Sequence, residues 1–335
     1  MKNKYILYIL VCVFILACNY ENKPNISNID CEFSVRRFDI DLFSIDTTSI
    51  DKDIEIISSK YTKFWEMYNI GVIGTGDPNK KGFSEYISRF IADKDILEVK
   101  DSCEKSFRDI SEIERQLSLS FRYMKYYFPD MSVPEVYFHI SGFNQSVIVD
   151  SNLISVSIDN YLGEKCKFYD MLPTPIPLYA RVNMKKERVP FDVIQALAMT
   201  CFSFRPIKTN LISNMIYQGK ILYFMSKLFP DAKESDVVGY SMNQFEWCAN
   251  NEASIWAFFV ERNYVYNSDY FIISKYINNA PYTSGMPQES PGKVATWVGL
   301  QIVKEYMKSN NVSLNNLMMN NDYERILRES NYQPE

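Results

Sequence analysis

Few residues in this chain have the chemistry to act on a substrate, and the clearest reactive group is the thiol of Cys18. Met1-Lys-Asn-Lys4 supplies two lysines, residues 5–16 are a run of about a dozen apolar residues, and Ile15-Leu16-Ala17-Cys18 forms the junction. A basic start followed by a short apolar core is a secretory signal, too short to span a bilayer as a finished helix. A small residue directly before a cysteine predicts processing as in a bacterial lipoprotein. Cleavage before Cys18 would leave its thiol to carry acyl chains, and two or more chains anchor a protein stably.

Conventional catalytic chemistry has little to draw on. His139 is the single histidine, so the chain cannot supply H-E-x-x-H, and zinc sites generally need several His or Cys ligands. Neither a serine nor a cysteine nucleophile finds a base other than His139, and no elbow motif lies near it. As a strand residue, His139 is expected to be a hydrogen-bonded structural side chain. Glu252 and Glu261 are nine apart on one expected helix, so they face opposite sides and cannot form an acid–base pair. Glu289-Ser290-Pro291-Gly292 is expected at a helix N-terminus, where free N–H groups can bind an anion or a carboxylate. The plainer reading there is capping, with Ser290 as cap and Pro291 at the first helical position. Trp297 and Gly299 in that helix read as tight helix packing. Glu252, Trp256, Glu289, Ser290, Gly292 and Trp297 are therefore the candidate groove or partner-contact residues. The sequence indicates no catalytic residue, no metal ligand and no cofactor.

Residues 19–30 are polar and turn-rich, as expected of a tether. The remaining elements must position whatever site exists. Short strands are expected near Arg36–Ile40 and over Val136–Ile140, with a hairpin of Ser146–Val149 and Leu153–Ile158 turning at Asp150-Ser151-Asn152. Helical spacing covers 49–69, 83–91 and 95–128, the last with a break near Ser102 and a stop at Pro129. Further helices are expected over 192–204, 210–229, 241–246, 251–264, 268–278, 290–307 and 315–329. Ser241 with Gln244 forms a capping box. The glycine-rich stretch from Gly71 to Gly82 lacks the Lys-Ser/Thr of a phosphate loop and reads as a surface loop.

Composition bounds the rest. Removing 1–17 from 335 residues leaves 318, enough for one large domain. With 47% hydrophobic and 15% aromatic residues the chain can bury a substantial core, and a net charge of −5 without a basic stripe argues against nucleic-acid binding. Five cysteines remain beyond Cys12 and Cys18. They are widely spaced and odd in number, so a full disulfide framework is not expected. Cys201 and Cys248 are expected to be small core residues.

Several blocks resemble the GldB-type gliding motility lipoproteins of the Bacteroidetes. They are Tyr126-Tyr-Phe-Pro129, Ile140-Ser-Gly-Phe-Asn-Gln145, Ile158-Asp-Asn-Tyr-Leu-Gly163, the run from Met215 to Tyr223, and Gly239-Tyr240. The most specific run holds Asn251-Glu252, Trp256, Glu261, Tyr266 to Asp269, Ala280-Pro281, Glu289 to Gly292 and Trp297 to Val303. The resemblance implies a cell-envelope lipoprotein that works through contacts with motility or secretion machinery, without a known catalytic motif. A more distant likeness is to zincin-type metallopeptidases, in which an edge strand precedes two successive ligand-bearing helices. Here the corresponding helix reads Ile194-Gln-Ala-Leu-Ala-Met-Thr-Cys201, and Gln218-Gly219 stands where a ligand Glu-Gly would fall. Neutral side chains cannot hold zinc or activate water, so the scaffold would be a pseudo-enzyme keeping at most a groove. Strand addition near Leu153–Ile158 would be its natural binding mode for a peptide, with a glycan strand as the other ligand; an unrecognised hydrolase is the remaining alternative.

The expected architecture is thus a signal peptide (1–17), a lipidated tether (18–30) and one mainly helical α+β domain (31–335) with a small central sheet. The expected setting is the cell envelope, with the outer membrane favoured because Asn19 gives no inner-membrane retention signal. The expected partners are a membrane, through Cys18, and an envelope protein.

Overall fold

The computed structural model describes residues 23–335. Its centre is a four-stranded mixed sheet of β1 (Val35–Arg37), β2 (Glu135–His139), β3 (Val147–Asp150) and β4 (Leu153–Ser157), in the order β1-β2-β4-β3. β1 and β4 pair with β2 in parallel, and β3 closes one edge antiparallel to β4. The expected hairpin is present, with Asp150 opposite Leu153 and Ser151 in the left-handed region. β4 is paired on both sides, so the expectation of strand addition at Leu153–Ile158 is corrected: its ladder groups are already taken, and the outer strands are β1 and β3.

Alternation along β2 divides the core in two. Val136 and Phe138 point into the larger cluster, together with Ile154 and Val156 of β4. Tyr137 joins a smaller, aromatic cluster built by helices Phe38–Leu42, Ile50–Met67 and Phe83–Ala92. There Phe38 meets Tyr61, Phe64, Trp65 and Tyr68 edge-on or nearly so, and Tyr137 stacks on Phe64 with centroids 4.5 Å apart. Such pairs add to the apolar area they bury.

The larger core is organised by helix Leu211–Leu228, which is buried around most of its circumference and therefore sits inside the fold. Asn210 caps it: Asn210 Oδ1 accepts from the Ser213 N–H and Ser213 Oγ accepts from the Asn210 N–H, both at 3.0 Å. Helix Val294–Ser309 crosses it at Gly219 and Gly299. A Cβ placed on Gly219 would stand 2.2 Å from the Gly299 carbonyl carbon. The backbones touch there, which only glycine permits.

Several boundaries differ from the sequence reading. The break expected near Ser102 in the 95–128 helix falls later: the helices are Lys94–Ser106 and Ser111–Tyr127, separated at 107–110 where Phe107 turns fully into the core. The last helix is likewise two, Leu314–Met319 and Tyr323–Ser330, with Ser313 and Asp322 as caps. Residues 23–30, read as tether, lie against the body: Ile26 is buried, and Arg122 donates to the Ile26 and Ile29 carbonyls at 2.6 and 2.9 Å.

Candidate functional site

Cys18 lies outside the described residues. The other sequence candidates fall into three places. Glu252 opens helix Glu252–Glu261 and accepts a hydrogen bond from the Tyr332 hydroxyl at 2.8 Å, while Trp256 meets the Tyr332 ring edge-on at 5.4 Å. These two residues clasp the C-terminal segment. Trp297 is 2% exposed within the core, and its indole N–H has no acceptor among the described residues. Glu289 is exposed. None of these residues lines either of the two main cavities.

Ser290 does not cap a helix. The helix begins at Val294 with Lys293 in the cap position, at φ +51. Ser290 instead ties the preceding loop together, its Oγ accepting from the Thr283 N–H at 3.1 Å and donating to the Pro287 carbonyl at 2.6 Å. Gly292 is needed for contact, since a Cβ there would be 2.4 Å from the Ala280 carbonyl oxygen. Sequence spacing placed the helix start three residues early because Ser-Pro is a common opening, and the loop's own packing overrode it.

Two family blocks meet at the ends of β2 and β4. Asp159, fully buried, accepts from the Phe143 N–H at 2.7 Å, from the Ser157 hydroxyl, and more weakly from the Ser141 N–H. Burial pushes its carboxyl up, and these hydrogen bonds oppose that. The carboxylate holds the 140–145 loop, in which Gly142 and Phe143 take left-handed φ. His139 beside it is not the hydrogen-bonded residue expected. Both ring nitrogens lack a partner among the described residues, the ring sits against Phe64 and Tyr68, and burial pulls it down to about 3. It is a neutral filler of the aromatic cluster. Cys248 is buried as expected, but Cys201 is exposed at the end of helix Val189–Cys201.

The feature that the sequence reading missed is a buried ionic network beside a cavity of about 520 Å³. Arg188, 7% exposed, donates from Nε to Asp192 Oδ1 at 2.8 Å and from Nη1 to the Asp236 carbonyl. Tyr161 donates to Asp192 Oδ2 at 2.9 Å. Nearby, Lys293 donates to the Val238 carbonyl at 2.9 Å above the Tyr240 ring, and burial, followed by Arg188, pulls its ammonium down to about 8 while Asp192 acts the other way. The available signal was the i, i+4 spacing of Arg188 and Asp192 across a helix start, a pattern too common to single out. The cavity, about 520 Å³, lies between helix Ser111–Tyr127 and the segments around 182–191 and 228–241. Leu119, Phe191, Leu228 and Phe229 form apolar wall, and Arg188, Asn183 and Tyr240 contribute polar surface.

The strand–helix–helix order that suggested a zincin is present, with helix Val189–Cys201 followed by Leu211–Leu228. Gly219, however, is explained by the helix crossing. Among the described residues, no group of three or more His, Cys, Asp or Glu could hold a metal ion.

A family model for gliding motility protein GldB matches residues 19–334. The chain belongs to this family of gliding motility lipoproteins. None of the curated proteins or solved structures compared with it matches. No helix among the described residues is long and apolar enough to cross a membrane.

Proposed function

We propose that the protein is a non-catalytic lipoprotein of the cell envelope, held by acylated Cys18, whose folded body works through contacts with motility or secretion machinery. The observation that carries this reading is the family match over residues 19–334, which begins directly after the cysteine of the processing motif. Two acyl chains on Cys18 would supply the attachment that the described helices do not. The outer membrane is the favoured location, since Asn19 carries no retention signal.

The chemistry of the interior supports a structural body. Asp159, Arg188 and Asp192 are occupied in holding loops and helix ends, His139 is buried among aromatic rings, and Glu252 binds Tyr332. The test is chemical crosslinking in intact envelopes followed by purification through an affinity tag at the C-terminus. A defined envelope protein recovered in stoichiometric amount is expected. Recovery of the chain alone, with turnover of an envelope polymer by the pure protein, would contradict the proposal.

A further inference from the structure

The 520 Å³ cavity has the size of a ligand site, and two polar groups in it are incompletely matched. Arg188 uses Nε and Nη1 on Asp192 and the Asp236 carbonyl, and no acceptor for Nη2 is found among the described residues. Ser120, 1% exposed, lines the same cavity, and its hydroxyl has no hydrogen-bond partner among the described residues. A buried hydroxyl left unpaired is costly, and a guanidinium with an open edge is shaped for a carboxylate. Gly239, at φ +78, lets the chain pass close to the bonded side of the guanidinium, where a Cβ would stand 3.3 Å from Arg188 Nη1.

The walls and rim restrict what else the occupant must carry. Leu119, Phe191 and Phe229 suit a flat apolar side chain beside the carboxylate. The rim bears both signs of charge, with Arg115 and Lys185 against Glu187, Asp231 and Asp236. Arg115 already pairs with Glu112 and Asp231 with Lys23, so the rim is polar rather than unmatched; an extended peptide brings N–H and C=O groups suited to such a rim, and an acyl chain brings none. An apolar centre within a mixed polar rim is the anatomy of a protein-contact hot spot. We infer that the cavity is a receptor site for a partner peptide in which an acidic residue adjoins an aromatic one, the carboxylate seated at Arg188 and Ser120 and the ring among Leu119, Phe191 and Phe229. This deepens the contact reading above and rests on it.

The rival occupant is this chain's own Tyr20-Glu21, because Lys23 pairs with Asp231 at the rim. The experiment uses the mature lipidated chain in detergent. A fluorescein-labelled Ser-Glu-Tyr-Glu-Ser peptide, its Gln-for-Glu and Ser-for-Tyr controls, and oleate are titrated by fluorescence anisotropy or competition. Saturable binding of the acidic aromatic peptide is expected, weakened tenfold or more in either control. Ser120→Met, which fills the cavity from its wall, and Arg188→Lys, which keeps charge but loses the fork, should each weaken it by a similar factor, with folding checked by thermal melting. Equal binding of the Gln peptide, unchanged affinity in a folded Ser120→Met, or no saturable binding would overturn the inference. So would preference for oleate, or a tenfold gain in peptide affinity on Glu21→Gln, which would assign the cavity to the tether. A partner crosslinked in envelopes despite failure of peptide binding would sink this site alone, and peptide binding without any envelope partner would sink the broader reading instead.

Discussion

Gly299 lies so close to Met215 that a Cβ on the glycine would stand 1.8 Å from the Met215 carbonyl oxygen. Its counterpart Gly219 is equally confined from the other side, so helices Leu211–Leu228 and Val294–Ser309 meet backbone to backbone. Gly299→Ala must therefore separate two core helices. A loss of about 3 kcal/mol or more is expected, read as a lower denaturation midpoint in urea. A midpoint within error of the parent would show that the crossing is looser than described.

His139 makes an acid-stability prediction. Its folded form titrates near 3 because burial disfavours the cation, while the unfolded side chain titrates near 6.5. Between these values the unfolded chain binds a proton that the folded chain does not, so stability is full above about pH 6.5 and is lost as pH falls toward 3. His139→Leu should remove up to about 1.4 kcal/mol per pH unit of that slope. Urea midpoints at pH 7, 5 and 4 for both proteins measure it. Parallel pH profiles would show that His139 is not the group responsible.

Asp192 serves two buried donors, Arg188 and Tyr161. Asp192→Ala leaves both without that acceptor and is expected to cost about 3 kcal/mol, since removing one partner of a buried charge strands the other. Tyr161→Phe removes a single hydrogen bond and should cost about 1 kcal/mol. Equal costs for the two substitutions, by calorimetric melting, would contradict this division.

Much of the fold was legible because it depends on local signals. The hairpin turn at Asp150-Ser151-Asn152, the Ser241–Gln244 box and the apolar run of 211–228 each fix their element from a few residues. The misplaced boundaries have a common cause. Phe107 breaks a helix by turning inward, and Ser290 is recruited by Thr283 and Pro287, so tertiary contacts rather than neighbouring residues decide both. The same limit applies to the candidate site. Glu252 and Trp256 share one helix, but their common partner Tyr332 is far away in sequence. The cavity at Arg188 joins four separate segments, from Arg115 to Ser241, and no spacing rule connects them.

Attachment of the folded body to the membrane depends on acylation of the Cys18 thiol. Cells expressing the native chain and a Cys18→Ala variant should be labelled with a fatty-acid analogue, separated into membrane and soluble fractions, and probed for the protein. The native chain is expected to be labelled and membrane-bound, and the variant unlabelled and released by washing. Equal labelling of both chains, or a native protein found free in the cytosol, would contradict it.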